Sequence, residues 1–144
     1  MLIINNASNS FADYAQPASM QLTCFDGKPM VRFAFEFKVG TDPNSTLGYR
    51  FDEKPGHDNI AARFLQEYRT VVIEDRAAVT TFANELATSG TLVIRIRSLA
   101  AGRTTAEFKL DGAPAAIEAA FAGCPLTAPP PLPETRKKKR AAKA

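Results

Sequence analysis

The side chains with the most defined chemistry in this chain are two cysteines, Cys24 and Cys124, which lie one hundred positions apart. In an oxidising compartment they can form a disulfide that links the helix predicted near Cys124 to the strand predicted near Cys24. In a reducing compartment they remain two buried thiols. A bridge that closes so long a loop stabilises a fold by roughly 4–5 kcal/mol in the chain-entropy model. Two cysteines and the single histidine, His57, make no structural zinc site, so we predict no metal and no other cofactor.

Acidic residues in the loop around His57 raise the question of catalysis. Asp52, Glu53 and Asp58 are the carboxylates that a hydrolase would use. Acidic residues in loops are mostly solvated turn formers, and no third group that would orient a catalytic histidine is identifiable. We therefore predict that the protein is not an enzyme, keep a hydrolase with loop carboxylates as an alternative, and interpret His57 as a solvated loop residue.

Three arginines form a second candidate site. Arg95 and Arg97 alternate along one predicted strand and therefore share its outer face. Glu107 lies on the outer face of the partner strand, so one interpretation is a cross-strand Arg–Glu ion pair worth up to about 1 kcal/mol. The other interpretation joins Arg95 and Arg97 with Arg50 in a cationic patch for an anionic ligand or a partner protein.

The charge of the chain is unevenly distributed. Of its 18 basic and 15 acidic residues, six basic and one acidic residue lie from position 129 onward, which leaves the body with 12 basic and 14 acidic residues. A body with that balance is not a nucleic-acid-binding surface by composition. A second alternative is therefore a cytosolic protein that binds polyanions weakly, or a partner protein, through the tail. The basic cluster of the tail comprises Arg136, Lys137, Lys138, Lys139 and Arg140.

The elements that position these residues are mostly strands. Between Val31 and Val39, apolar residues alternate with polar ones and three phenylalanines share one face, which is typical of a half-buried strand. Residues 91–98 and 104–110 show the same alternation and predict an antiparallel hairpin.

Two helices complete the predicted fold. Asp75 is a predicted N-cap, with Glu74 beside it at the helix start, for an amphipathic helix over residues 76–88. A second helix is expected to end near Cys124. The predicted fold class is α+β, with an antiparallel, mainly β sheet or small sandwich and two short helices.

The chain is long enough for a single domain. We expect an extended N-terminal arm over residues 1–19, one globular α+β domain over residues 20–126, and a disordered Pro-rich basic tail over residues 127–144. No apolar run approaches the ~20 residues of a membrane-spanning helix, so we expect no membrane span. The first residues, 1–4, lack a signal-peptide pattern, so either the protein is cytosolic or an export signal lies outside this sequence.

Short motifs follow one another along the chain in a familiar order. They are Leu22–Cys24, Gly48–Asp52, Phe82–Leu86, Leu92–Arg97 and Ala106–Gly112, before a helix that ends at Cys124. This order resembles the VasI/TagO family of accessory proteins associated with bacterial type VI secretion, and related exported proteins of proteobacteria. The likeness spans about residues 20–125. The matching positions are Arg50, Asp52, Phe108, Gly112 and the two cysteines.

The resemblance implies a periplasmic β-rich domain in which Cys24 and Cys124 are paired, with an accessory rather than an enzymatic role. It provides no catalytic residues. The favoured function is therefore a non-enzymatic binding or accessory protein of the bacterial envelope, associated with secretion. We expect it in the periplasm if the bridge forms and in the cytoplasm if it does not.

Overall fold

The structure is a computed structural model that describes residues 2–12, 14–110, 113–122 and 124. These residues contain eight strands and two helices. In chain order they are β1 (Leu2–Asn9), β2 (Gln16–Phe25), β3 (Lys28–Phe35), β4 (Asn44–Phe51), β5 (His57–Leu65), β6 (Thr70–Ile73), α1 (Arg76–Leu86), β7 (Thr91–Ser98), β8 (Gly102–Lys109) and α2 (Ala113–Ala120). The predicted basic tail, residues 127–144, lies outside the described residues.

The eight strands close into a barrel. Their order around the barrel is β1, β2, β3, β6, β5, β4, β7 and β8, and β8 pairs again with β1. Every pair of neighbours is antiparallel. The predicted class, a mainly antiparallel β fold with two short helices, is therefore confirmed, and closure removes the free strand edges that an open sheet exposes.

The N-terminal segment, where an extended arm over residues 1–19 is predicted, contains β1 and the start of β2. Strand β1 pairs with β2 on one side and with β8 on the other, and β2 begins before Met20, at Gln16. Asn9 is buried, and its side-chain amide has hydrogen-bond partners there: Nδ2 donates to Ala101 O and Thr104 Oγ1, at 2.9 and 2.8 Å. Backbone pairing and a satisfied amide thus hold a polar segment that sequence patterns do not mark as a strand.

The barrel interior is filled by aromatic rings. The predicted alternation in β3 is confirmed at Val31, Phe33 and Phe35, which are all buried. Helix α1 places Phe82 against rings from two non-adjacent strands, β3 and β4, with centroids 6.1 Å from Phe33 and 5.0 Å from Phe51. Burying a phenylalanine stabilises a fold by roughly 1.5–3 kcal/mol, so these rings dominate the core.

The start of α1 confirms one half of the predicted helix-start pair. The Asp75 carboxylate accepts a hydrogen bond from Ala78 N at 3.0 Å, which is the N-cap contact. Glu74 does not serve the helix terminus. It pairs with Arg63 across two strands, with Nε to Oε2 at 2.7 Å.

The two cysteines form the disulfide that remained an open choice from the residues alone. Cys24, near the end of β2, and Cys124, just after α2, are bridged with their Cα atoms 5.9 Å apart. Phe121, close to the bridge, is buried against the core. The bridge ties α2 to β2 and closes a loop of 100 residues, for which the chain-entropy model gives roughly 4.7 kcal/mol.

A tight turn joins β5 to β6. Residues 60–65 belong to β5, and the turn follows. Gln66, Glu67 and Tyr68 all have positive φ, at 51°, 59° and 66°. This conformation is costly for residues with a Cβ, so the turn is held in place by the pairing of the strands on either side.

Candidate anion-binding groove

A bulge in β5 shapes the surface beside the predicted arginines. Leu47 of β4 pairs with Ile60, whereas Tyr49, two residues later, pairs with His57. Strand β5 therefore carries one extra residue here, within Asp58–Asn59, and Asn59 adopts a positive φ of 59°. A bulge bends its strand and redirects side chains, which explains why Asp58 leans across the neighbouring strand.

Gly48 allows this approach. A Cβ at Gly48 would lie 2.9 Å from Asp58 Oδ1 and 3.2 Å from His57 O. Any other residue would push the Asp58 side chain and the β5 backbone away. The glycine thus forms a floor, with the Asp58 carboxylate over it, between the bulge on one side and β7 on the other.

The three predicted arginines lie along this floor. Gly48 is the cross-strand partner of Arg95, and Arg50 is the partner of Val93. Two adjoining hollows, of about 360 and 240 Å³, share Gly48, Asp58 and Arg95 in their linings. We call the combined surface the β4–β7 groove. Its polar lining comprises Thr46, Arg50, Asp58, Asn59, Arg95 and Arg97 around Gly48.

The expected Arg–Glu pair across the hairpin is not formed. Glu107 faces Val93, whereas Arg95 faces Thr105 and Arg97 faces another arginine, Arg103. Within the described residues neither Arg95 nor Arg97 makes a hydrogen bond or an ion pair. The register of β7 and β8 explains the missing ion pair, because it places Glu107 opposite Val93 and not opposite Arg95.

Arg50 is attached to the other end of the groove. Its Nε donates to Asp52 O at 3.2 Å, and its Nη2 lies 3.8 Å from the exposed Glu53 carboxylate. An exposed pair at that distance contributes little, so the guanidinium keeps most of its capacity to bind an anion.

The loop carboxylates proposed for a hydrolase have separate surroundings. Asp52 accepts hydrogen bonds from Gly90 N and Thr91 N, at 3.0 and 2.9 Å, and so ties the end of β4 to the start of β7. Glu53 is exposed beside Arg50, and Asp58 lies over Gly48. Asp52 therefore has a structural role, and of the three only Asp58 lines the β4–β7 groove.

His57 is not the solvated loop residue that the sequence suggested. It begins β5, stacks on the Tyr49 ring with centroids 4.7 Å apart, and has its Nε2 2.8 Å from Glu85 Oε2 of α1. Burial, with the nearby Glu85 carboxylate as a second cause, raises the pKa of Tyr49 to about 12. No local signal marks this cluster, because Glu85 lies 28 residues away and meets His57 only after α1 has docked.

Within the described residues, no group of three or more His, Cys, Asp or Glu side chains is arranged to hold a metal ion. Among the helices of that part of the chain, none combines the length and apolar character needed to cross a membrane.

Comparison with protein-family models, with curated proteins and with solved structures finds no match to this chain. The groove is therefore interpreted from its own geometry.

Proposed function

We propose that the protein is a non-enzymatic accessory protein of the bacterial envelope that binds an anionic partner through the β4–β7 groove. The observation that carries the binding role is the pair of arginines, Arg95 and Arg97, which line the groove and make no ion pair or hydrogen bond with any residue that the structure describes. An arginine presents five donors in a planar fork, which matches carboxylate and phosphate oxygens.

The arrangement favours a ligand over a purely structural role for these cations. Arg97 faces Arg103 across the hairpin, and like charges at directly opposite positions destabilise a sheet. An anion held over β7 would relieve that repulsion while it gains charge-assisted hydrogen bonds. Binding is expected to weaken with added salt, because the groove is open to solvent.

The envelope location rests on the bridge between Cys24 and Cys124. Disulfides persist in oxidising compartments such as the periplasm and are rare in the cytosol. The resemblance to the VasI/TagO family adds the secretion-associated role. Thiol trapping in the producing cells, followed by intact mass, tests the location: both cysteines should resist alkylation until a reductant is added, and rapid alkylation of both would contradict the envelope assignment.

The binding role is tested by calorimetric titration of the full chain with tripolyphosphate, a compact multivalent anion. Arg95→Gln should weaken binding roughly tenfold, equivalent to about 1.4 kcal/mol. The matched control is Arg69→Gln, which removes the same charge beside the β5–β6 turn, away from the groove lining. Equal affinities for the two variants, or no binding by the unaltered protein at low salt, would overturn the role of the groove.

A further inference from the structure

The two walls of the β4–β7 groove carry opposite chemistry, and we infer that its ligand is an acidic saccharide, a sugar that bears a carboxylate or phosphate beside free hydroxyl groups. The inference rests on the proposed function and specifies its ligand. Arg95 and Arg97 form one wall, and Asp58 and Asn59 form the other. A ligand in this groove therefore meets cationic donors on one side and a carboxylate with an amide on the other.

The two walls do not neutralise each other. Asp58 and Arg95 line both hollows of the groove, yet within the described residues they form no ion pair with one another. Both side chains keep free hydrogen-bonding capacity toward the space between them. A ligand that enters this space can satisfy donors and acceptors at once, without first breaking an internal contact.

The acceptor wall separates a saccharide from a simple anion. An ionised Asp58 only accepts hydrogen bonds, so it repels a phosphate or a carboxylate that offers no donor. A hydroxyl group donates to Asp58 while the anionic group of the same sugar lies against Arg95. Asn59 and Thr46 add neutral groups that both donate and accept hydrogen bonds. Such groups suit a sugar ring with several hydroxyls better than a ligand that would offer Asp58 only an ammonium group.

The size and shape of the groove agree with one or two sugar units. The larger hollow, at about 360 Å³, lies near the lower end of the ~300–1,000 Å³ range of small-molecule sites. The smaller hollow continues past Gly48 toward Arg50. An extended ligand thus finds a further cation at the far end, beyond the pair on β7.

The local backbone is built to keep this space open. The bulge at Asp58–Asn59 redirects the Asp58 side chain, and the glycine at position 48 gives it room, since a Cβ there would lie 2.9 Å from Asp58 Oδ1. Here they position a carboxylate opposite an arginine.

The experiment compares probes that separate the two walls. Trigalacturonate carries carboxylates and hydroxyls, its methyl ester keeps the hydroxyls without the charge, and tripolyphosphate keeps the charge without the hydroxyls. Calorimetric titration of the full, oxidised chain should give binding of trigalacturonate in preference to both controls. Galacturonate and glucose 6-phosphate then show whether carboxylate or phosphate is selected; binding of either supports the inference, and binding of no acidic sugar overturns it.

The decisive variant is Asp58→Ala. It should weaken trigalacturonate binding roughly tenfold, because a charged acceptor is lost, and leave tripolyphosphate binding equal or stronger, because a repelling charge is lost. A disturbed fold would lower both affinities, so a circular dichroism melt of the variant accompanies the titrations.

The outcomes separate this inference from the function on which it rests. If Asp58→Ala leaves trigalacturonate binding unchanged while Arg95→Gln weakens tripolyphosphate binding, the groove binds simple anions and the saccharide inference is overturned. If Arg95→Gln weakens neither probe, the proposed function itself fails.

Discussion

Two outer faces of this barrel use arginine in opposite ways. On the face of β5 and β6, Arg63 makes a two-point contact with Glu74, with Nε–Oε2 at 2.7 Å and Nη2–Oε1 at 3.1 Å. Val72, the cross-strand partner of Arg63, is not part of the core cluster, which contains its neighbours Val71 and Ile73. It is nevertheless only 3% exposed. On the face of β4 and β7, Arg95 and Arg97 have no such partner among the described residues.

The difference separates a structural arginine from an available one. Arg63 is fixed by a bidentate carboxylate and its aliphatic stem helps to cover an apolar strand position. Arg95 lies beside Gly48 and lines the groove together with Asp58, with which it forms no ion pair among the described residues. Composition alone would count these residues as equivalent cations, whereas their partners show which of them a ligand can recruit.

The largest expected effect tests whether this contrast is local. Replacing both Cys24 and Cys124 by serine should lower the free energy of unfolding by about 4–5 kcal/mol, because the unfolded chain regains the freedom of a 100-residue loop. In the order of strands around the barrel, β2 lies opposite β4. Binding of tripolyphosphate at the groove should therefore persist in the variant, measured below its melting temperature.

The control for this variant is the unaltered protein in the presence of a reductant. Its midpoint of unfolding in denaturant should equal that of the double serine variant. Loss of groove binding in folded, bridge-free protein would mean that the contrast between the faces depends on the whole barrel rather than on local partners.

An intermediate effect is expected from Tyr49, which lies in β4 beneath the groove. Its pKa is raised to about 12 by burial and then by Glu85, whereas the unfolded phenol titrates near 10. Between pH 10 and 12 the unfolded state loses the proton first, so the free energy of unfolding should fall by about 2–3 kcal/mol across that interval. This contribution is complete below pH 10 and is lost as the pH rises through 12.

Denaturant titrations at several pH values measure this dependence. Tyr49→Phe keeps the ring and removes the proton, so its stability should change less over the same interval. If the stability of Tyr49→Phe falls with pH as much as that of the unaltered protein, groups other than Tyr49 cause the fall, and burial of Tyr49 under the groove is then not what sets the pH dependence.

Several elements of the fold were predictable because they depend on patterns of residues that are close together in the sequence. The alternation of Val31, Phe33 and Phe35 in β3, the alternation in each strand of the β7–β8 hairpin, and the Asp75 N-cap each follow from residues that are close in sequence. The closure of the barrel is different in kind. Strand β1 shows no alternation of apolar and polar residues, and its pairing with β8 joins residues almost one hundred positions apart, so no window of the sequence contains the signal.

The site was predictable in its members more than in its form. Period-two alternation predicts that Arg95 and Arg97 share one face, and both line the groove, whereas their role in binding an anion stays a prediction. The groove itself depends on a bulge in another strand that brings Asp58 over Gly48, and a register decides that Glu107 misses Arg95. Register and bulges are set by the assembled sheet, so the residue pattern alone favours an Arg–Glu ion pair that the actual register does not form.

The smallest expected effect compares the two faces directly by neutralising one charge on each. Glu74→Gln should destabilise the barrel by up to about 1 kcal/mol, because it removes the partner of Arg63, and both side chains are more than one-third exposed, so solvent screens much of the interaction. Arg95→Gln should leave stability within about 0.5 kcal/mol, since Arg95 makes no hydrogen bond or ion pair among the described residues. The order reverses for tripolyphosphate affinity, which only Arg95→Gln should reduce. Chemical denaturation and calorimetry on the same two variants measure both quantities, and a stability loss from Arg95→Gln as large as that from Glu74→Gln would show that Arg95 is a structural residue after all.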